Sequence, residues 1–156
     1  MSKETVLVLN NLRSTHNVGS IFRTADASGV KKIYLVGTTP CPVDRFGRAQ
    51  PDIAKTALGA EKRIPWEYYE EVLPLLENDL RDFFKIALEQ SSTSKDYKNF
   101  LPKDKNAVIL GAEVIGIPKD VLDVCDEIAE IPMMGEKESL NVSVATGIFL
   151  FRFLNL

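Results

Sequence analysis

Residues 5–37 read TVLVLNNLRSTHNVGSIFRTADASGVKKIYLVG, and the hydrophobic period changes twice within them. Thr5-Val6-Leu7-Val8-Leu9 is a short β-rich run that stops at Asn10-Asn11, which predicts a buried strand. Val18, Ile21, Phe22 and Ala25 then recur at helical spacing, and Gly29 supplies a C-terminal stop. Ile33-Tyr34-Leu35-Val36-Gly37 returns to a strand. Both strands are apolar without alternation, as expected of strands covered on two faces.

The same alternation continues outward. Thr38 to Pro51 is a loop rich in Pro, Gly and Arg. A short helix is predicted over Ile53–Leu58 and another over Trp66–Leu76. Phe83–Leu88 and Ala107–Leu110 are further buried strands, separated by the polar stretch Ser91–Lys105, which reads as loop with at most a turn of helix. Ile117-Pro118 opens a short helix through Val124. Glu127–Ile131 is the last strand, and a loop from Pro132 to Leu140 leads into a final helix ending near Leu154. Strands alternating with helices predict an α/β fold with a mostly parallel sheet and helices on both faces.

The final helix is apolar all the way round, through Val142, Val144, Ala145, Ile148, Phe149, Leu150, Phe151, Phe153 and Leu154. Such a helix has to be covered on every side. The sheet of a small domain covers one side, so a second copy of the chain is the expected cover for the other, the alternative being a helix sunk deep within a monomer.

Composition narrows the function classes. At 156 residues the expectation is one domain spanning 1–156, without a separate second domain. The content is 45% apolar and 26% charged, that of a globular protein. No apolar run reaches the roughly 18 residues of a spanning helix, and Met1-Ser2-Lys3-Glu4 lacks a signal-peptide layout, so a cytoplasmic location is expected. Cys41 and Cys125 form no CxxC pair and His16 is the lone histidine, which argues against a disulfide framework or a metal site. The net charge of −3 hides an asymmetry. Residues 1–63 hold 10 Lys and Arg against 5 Asp and Glu, whereas residues 64–156 hold 9 against 17. A basic front half could face a polyanion; scattered surface charge is the plain alternative.

Three segments follow predicted strands, where open α/β sheets place their ligands. The first is Arg13 to Asp26. Arg23 points away from the stripe of Val18, Ile21, Phe22 and Ala25, and its planar fork of donors suits phosphate. Asn17 could cap the helix or fix Arg23 and the loop before it. The second, Val108 to Pro118, runs a strand into Gly111-x-Glu113-x-x-Gly116, a spacing that suggests backbone held close to a ligand. It is neither the Rossmann GxGxxG nor a P-loop, and Glu113 could be a plain loop carboxylate. The third, Ile131 to Ala145, joins Pro132, Met133, Met134 and Gly135 to Ser139-Leu140-Asn141 at a helix start. It could wrap a partly apolar cofactor; Ser139 or Asn141 could equally be an N-cap, and the methionines core filler.

In this order the segments resemble the three motifs of the SpoU (TrmH-type) family in the SPOUT superfamily of RNA methyltransferases. Asn17 to Ala25 looks like the first motif, Leu110-Gly111-Ala112-Glu113 through Gly116 the second, and Ile131-Pro132-Met133 with Ser139 to Ala145 the third. Lys55 to Glu61 and Ala87 to Gln90 are similar to family segments as well, so the likeness covers almost the whole chain. Ala112 stands where the family often has Asn.

The resemblance implies a C-terminal trefoil knot that holds S-adenosyl-L-methionine, and transfer of its methyl group to a ribose 2′-hydroxyl of tRNA or rRNA. It implies a homodimer, joined through the C-terminal helix, whose active sites combine both subunits. Gly111, Gly116, Ile131, Met133, Ser139 and Leu140 would line the cofactor pocket, with Leu88, Glu89 and Gln90 near it. Arg23 would be catalytic, helped by Asn17, Glu113, Ser139 and Asn141. His16, Arg13, Arg45, Arg48, Lys55 and Arg63 are candidates for phosphate contacts. The rivals are an RNA-binding module of the same fold without catalysis and a SPOUT enzyme that methylates a base. Which RNA, nucleotide and base are modified is not legible in the sequence.

Overall fold

The computed structural model describes residues 2–156, and five of its seven strands fall on the apolar runs. Met1, the start of the expected domain, lies outside the described residues. β1 (Glu4–Asn10) leads through Ser14 into α1 (Thr15–Ser28), and β2 (Lys32–Val36) follows. Ser14 rather than Asn17 is the N-cap of α1: its side chain accepts the Asn17 N–H at 3.1 Å. Gly29 closes the helix with a φ of 78°. Two short helices follow, α2 (Pro51–Ala57) and α3 (Ala60–Arg63).

The expected helix over Trp66–Leu76 is corrected. Trp66–Tyr69 is a strand, β3, paired in parallel with β2 from Ile33↔Trp66 to Val36↔Tyr69. Aromatic residues suit a sheet edge, and the pairing with β2 decides the matter. Only Val72–Pro74 (α4) is α-helical, and Leu75–Asp79 continues it as a wider π turn. β4 (Phe84–Leu88) comes next. The polar stretch after it holds a two-residue strand, β5 (Lys95–Asp96), as well as the expected turn of helix at Tyr97–Asn99. β6 (Lys105–Leu110), α5 (Lys119–Val124), β7 (Glu127–Glu130) and α6 (Val142–Phe153) complete the chain.

All seven strands run parallel in the order β3-β2-β1-β6-β4-β7-β5. The alternation of side chains along β1 divides the core. Leu7 and Leu9 face α1 and α6 through Phe22, Phe149 and Phe153, whereas Val6 and Val8 face Leu75, Leu76 and Val121 on the other side. Both faces of the sheet are therefore covered. Parallel strands send all their carboxyl ends to one edge, where the loops after β1, β6 and β7 meet.

One side of α6 is covered by its own domain, as expected, and the other is open in the single chain. Thr146, Phe149, Leu150 and Phe153 are buried, with Phe149 and Phe153 stacked 5.1 Å apart. Val144, Ile148 and Phe151, spaced as one helical stripe, are 50, 37 and 40% exposed. Among the described residues no helix is long and apolar enough to cross a membrane.

Candidate active site

The loop leaving β6 doubles back on itself. Ala112 and Gly116 form an isolated bridge, with the Gly116 N–H donating to the Ala112 carbonyl at 2.9 Å. The return limb is clamped from β4: the Glu89 carboxylate accepts the Ile117 N–H at 2.8 Å and the Gln90 N–H at 3.0 Å. This closeness explains both glycines. A Cβ on Gly111 would stand 2.6 Å from the Gly116 carbonyl carbon. Gly116 has a φ of 76°, and a Cβ there would run into the Glu89 carboxylate.

The three segments singled out in the sequence are tied by a directional chain of hydrogen bonds. Asn141 caps α6, its Oδ1 accepting the Ser143 N–H at 2.9 Å and the Ser143 hydroxyl at 2.6 Å. That leaves its amide to donate, and Asn141 Nδ2 lies 3.1 Å from Asn17 Oδ1. Asn17 Nδ2 in turn donates to Glu113 Oε1 at 3.4 Å, which also receives the Ser14 N–H at 3.4 Å. An ionised carboxylate only accepts, so Glu113 fixes which way both amides point. Asn17, Glu113 and Asn141, up to 124 positions apart, are thereby brought together.

Beside this chain opens a cleft of about 650 Å³. Leu88, Glu89 and Gln90 line it from the end of β4, Gly111 and Gly116 from the β6 loop, and Ile131, Met133, Ser139 and Leu140 from the β7 loop. Glu113 and Asn141 reach its rim. Sequence reasoning missed Glu130 and Glu138, which bring the carboxylates on the lining to four with no basic side chain among them. Each directly precedes a motif residue, Ile131 or Ser139, and that adjacency was the available signal.

Arg23 lies elsewhere. It is exposed and lines a second cleft of about 580 Å³ with Ser20, Thr24, Lys55 and Phe151. Within one chain the structure does not bring Arg23 to the first cleft. Of the other basic candidates, Arg63 is held by Asp26, with Nε and one terminal nitrogen at 3.0 and 2.7 Å from the same carboxylate oxygen. Arg48 Nε is held by Asp44 at 2.8 Å. Arg13 and His16 are exposed, the His16 carbonyl accepting the Thr56 hydroxyl at 3.1 Å.

Comparison with known proteins places this geometry. The family model described as "SpoU rRNA Methylase family" matches residues 4–151. A Staphylococcus aureus protein assigned to the TrmH family of tRNA/rRNA methyltransferases is 32% identical over 147 residues, 94% of this chain and 57% of that protein. A solved rRNA methyltransferase from Sinorhizobium meliloti with AdoMet bound is similar with a TM-score of 0.88 and 28% identity, over 99% of this chain and 57% of that one. The A. aeolicus TrmH/SpoU tRNA-modifying enzyme is similar with a TM-score of 0.83 and 28% identity, over 99% of this chain and 75% of that one. The chain thus spans 57% of the length of the curated relative it matches.

Proposed function

This chain belongs to the SpoU rRNA methylase family, and on that premise we propose that it transfers a methyl group from S-adenosyl-L-methionine to a ribose 2′-hydroxyl of tRNA or rRNA. The observation that carries the proposal is the first cleft, where three segments distant in sequence converge beside the Asn141–Asn17–Glu113 chain.

The residues fit the methyl donor. A cleft of about 650 Å³ suits a cofactor of that size. Leu88, Ile117, Ile131, Met133 and Leu140 offer apolar walls for a flat base, and four carboxylates complement a sulfonium. The doubled-back loop around Gly111 and Gly116 lets backbone approach a ligand closely. When bound, the cofactor supplies an electrophilic methyl group.

The chain's own residues supply position and charge. Glu89 holds the β6 loop as one wall, Asn141 anchors the start of α6 as the other, and Asn17 ties them through Glu113. Arg23 grips the phosphate beside the target ribose and stabilises the alkoxide as the hydroxyl loses its proton. A guanidinium does not serve as the base, because its pKa is above ~12; a phosphate oxygen or water takes the proton. Since Arg23 of the same chain faces the second cleft, the site is completed by Arg23 of the partner subunit in a homodimer. The exposed stripe of Val144, Ile148 and Phe151 beside that cleft supports α6 as the interface. The trefoil knot belongs to the same reading, supported by the interleaved order β6-β4-β7-β5.

Radiolabelled methyl transfer to bulk RNA, followed by digestion to nucleosides, tests the proposal. A labelled dinucleotide resistant at the adjoining phosphodiester is expected, because a 2′-O-methyl group blocks that cleavage. Label released as a modified base would move the reaction off the ribose. Binding of RNA with no transfer would make the chain a binding module.

A further inference from the structure

The loop between β2 and α2 ends in a built apex. Val43 bridges Ala49, the Gln50 N–H donates to the Pro42 carbonyl at 2.9 Å, and the Asp44 N–H donates to the Arg48 carbonyl at 2.8 Å. The Asp44 carboxylate fills the turn. Its Oδ1 accepts the N–H groups of Phe46 and Arg48 at 2.8 and 3.0 Å, and its Oδ2 accepts Arg48 Nε at 2.8 Å. The root of the loop is fastened as well. Asn11 Oδ1 accepts the Thr38 N–H at 3.1 Å, and the Thr39 hydroxyl accepts the Leu12 N–H at 3.1 Å. Leu12 lies two residues before Ser14, the cap of α1, so the apex is rooted beside the first motif.

On this frame Phe46 is 67% exposed, with the guanidinium carbons of Arg45 and Arg48 at 4.9 and 5.0 Å from its ring centre. A phenylalanine held in water by so many hydrogen bonds forgoes the burial that ordinarily attends one. Its neighbours are cations, which repel a basic partner and attract a polyanion. Arg48 is already engaged by Asp44, so the apex is poorly arranged as a two-pronged phosphate grip. An exposed aromatic ring with guanidinium groups over it offers a layered surface on which an unpaired base stacks, and a base inside a duplex has no free face to offer.

We propose that Phe46, with Arg45 beside it, is a stacking platform for an unpaired nucleotide of the RNA substrate. The enzyme therefore takes a loop or single strand rather than continuous duplex. This rests on the RNA-methyltransferase reading and deepens it.

Fluorescence anisotropy with a labelled single-stranded RNA of mixed sequence, and with a duplex of equal length, tests the platform. Phe46→Leu is expected to weaken single-strand binding about tenfold and to leave duplex binding unchanged. The slope of log affinity against log salt should stay the same in that variant, whereas Arg45→Ala should flatten it by about 0.7. Phe46→Trp should restore binding. Unchanged thermal unfolding of Phe46→Leu would show that its fold is intact. Single-strand affinity equal to that of the unaltered protein, or an equal loss on duplex, would overturn the proposal. If the unaltered protein binds and methylates RNA and Phe46→Leu is indifferent, the platform alone falls. If the unaltered protein binds no RNA, the methyltransferase reading falls with it.

Discussion

The two clefts are nearly equal in volume, about 650 and 580 Å³, and opposite in charge. The first carries Glu89, Glu113, Glu130 and Glu138 and no basic residue; the second carries Arg23 and Lys55 and no acid. Their lining comes from different stretches of chain. Residues 88–145 form the first, and residues 20–58 with Phe151 form the second. The two clefts divide their charge along the same line as the basic front half and the acidic rear half of the sequence. A methyl donor bearing a sulfonium and an RNA bearing phosphates are best received at sites of opposite sign. On the proposed reading, methyl transfer needs both at one point, and one chain keeps the two clefts apart.

Removing the basic cleft's guanidinium breaks the comparison most severely. Arg23→Ala should lower methyl transfer by about a hundredfold or more, the scale of losing a group that stabilises transition-state charge. Cofactor binding by calorimetry should be unchanged, because Arg23 lies outside the acidic cleft. Mixing then asks which chain supplies it. Gly116→Val should close the acidic cleft, since its Cβ meets the Glu89 carboxylate. Mixed dimers of Arg23→Ala with Gly116→Val would hold one intact site of the two, so an equimolar mixture in which about half of the dimers are mixed should recover roughly a quarter of unaltered activity. No recovery on mixing, with mixed dimers verified, would put Arg23 and the cofactor in the same chain.

The charge of the acidic cleft can be sharpened separately. Glu138→Gln should weaken S-adenosylmethionine about two- to fivefold and the uncharged-sulfur product less, since only the donor carries the sulfonium. The difference should shrink as salt rises. An equal loss for both would mean that Glu138 contacts some shared part of the two molecules and that the cleft's sign is incidental.

The acidic cleft was far more legible in the sequence than the partition between clefts. Glycines at 111 and 116 and the segment 139–141 mark backbone that must turn or cap locally, and local constraints leave local signatures. Arg23 sits six residues after Asn17 on the same helix, roughly 240° round it, and the packing of α1 on α2 and α6 decides what each direction meets. Residue types alone could not show this. The strand at Trp66–Tyr69 was missed for a related reason. Its pattern, half-buried at the ends and exposed at Glu67 and Tyr68, lacks a clear period, and pairing with β2 makes it a strand. The cap of α1 shows the reverse case: Ser14 and Asn17 are both good capping residues, and the exit path of β1 selects Ser14.

The smallest expected effect concerns the thiols, one in each half. Burial raises both above the ordinary thiol value: Cys41 in the basic half by burial alone, and Cys125 in the acidic half to about 12, by burial first and the Asp126 carboxylate second, with Lys85 opposing. The thiolate is the species that alkylates, so iodoacetamide near pH 8 should modify Cys41 before Cys125. The sign for stability follows from the same shift. The unfolded chain loses the Cys125 proton near the ordinary value of 9.0 while the folded chain keeps it to about 12, so stability should fall as pH climbs through that interval. Cys125→Ala should flatten the decline, and Cys41→Ala should flatten it less. Faster alkylation at Cys125 would mean that burial, with Asp126 beside it, does not hold that thiol protonated more firmly than burial alone holds Cys41.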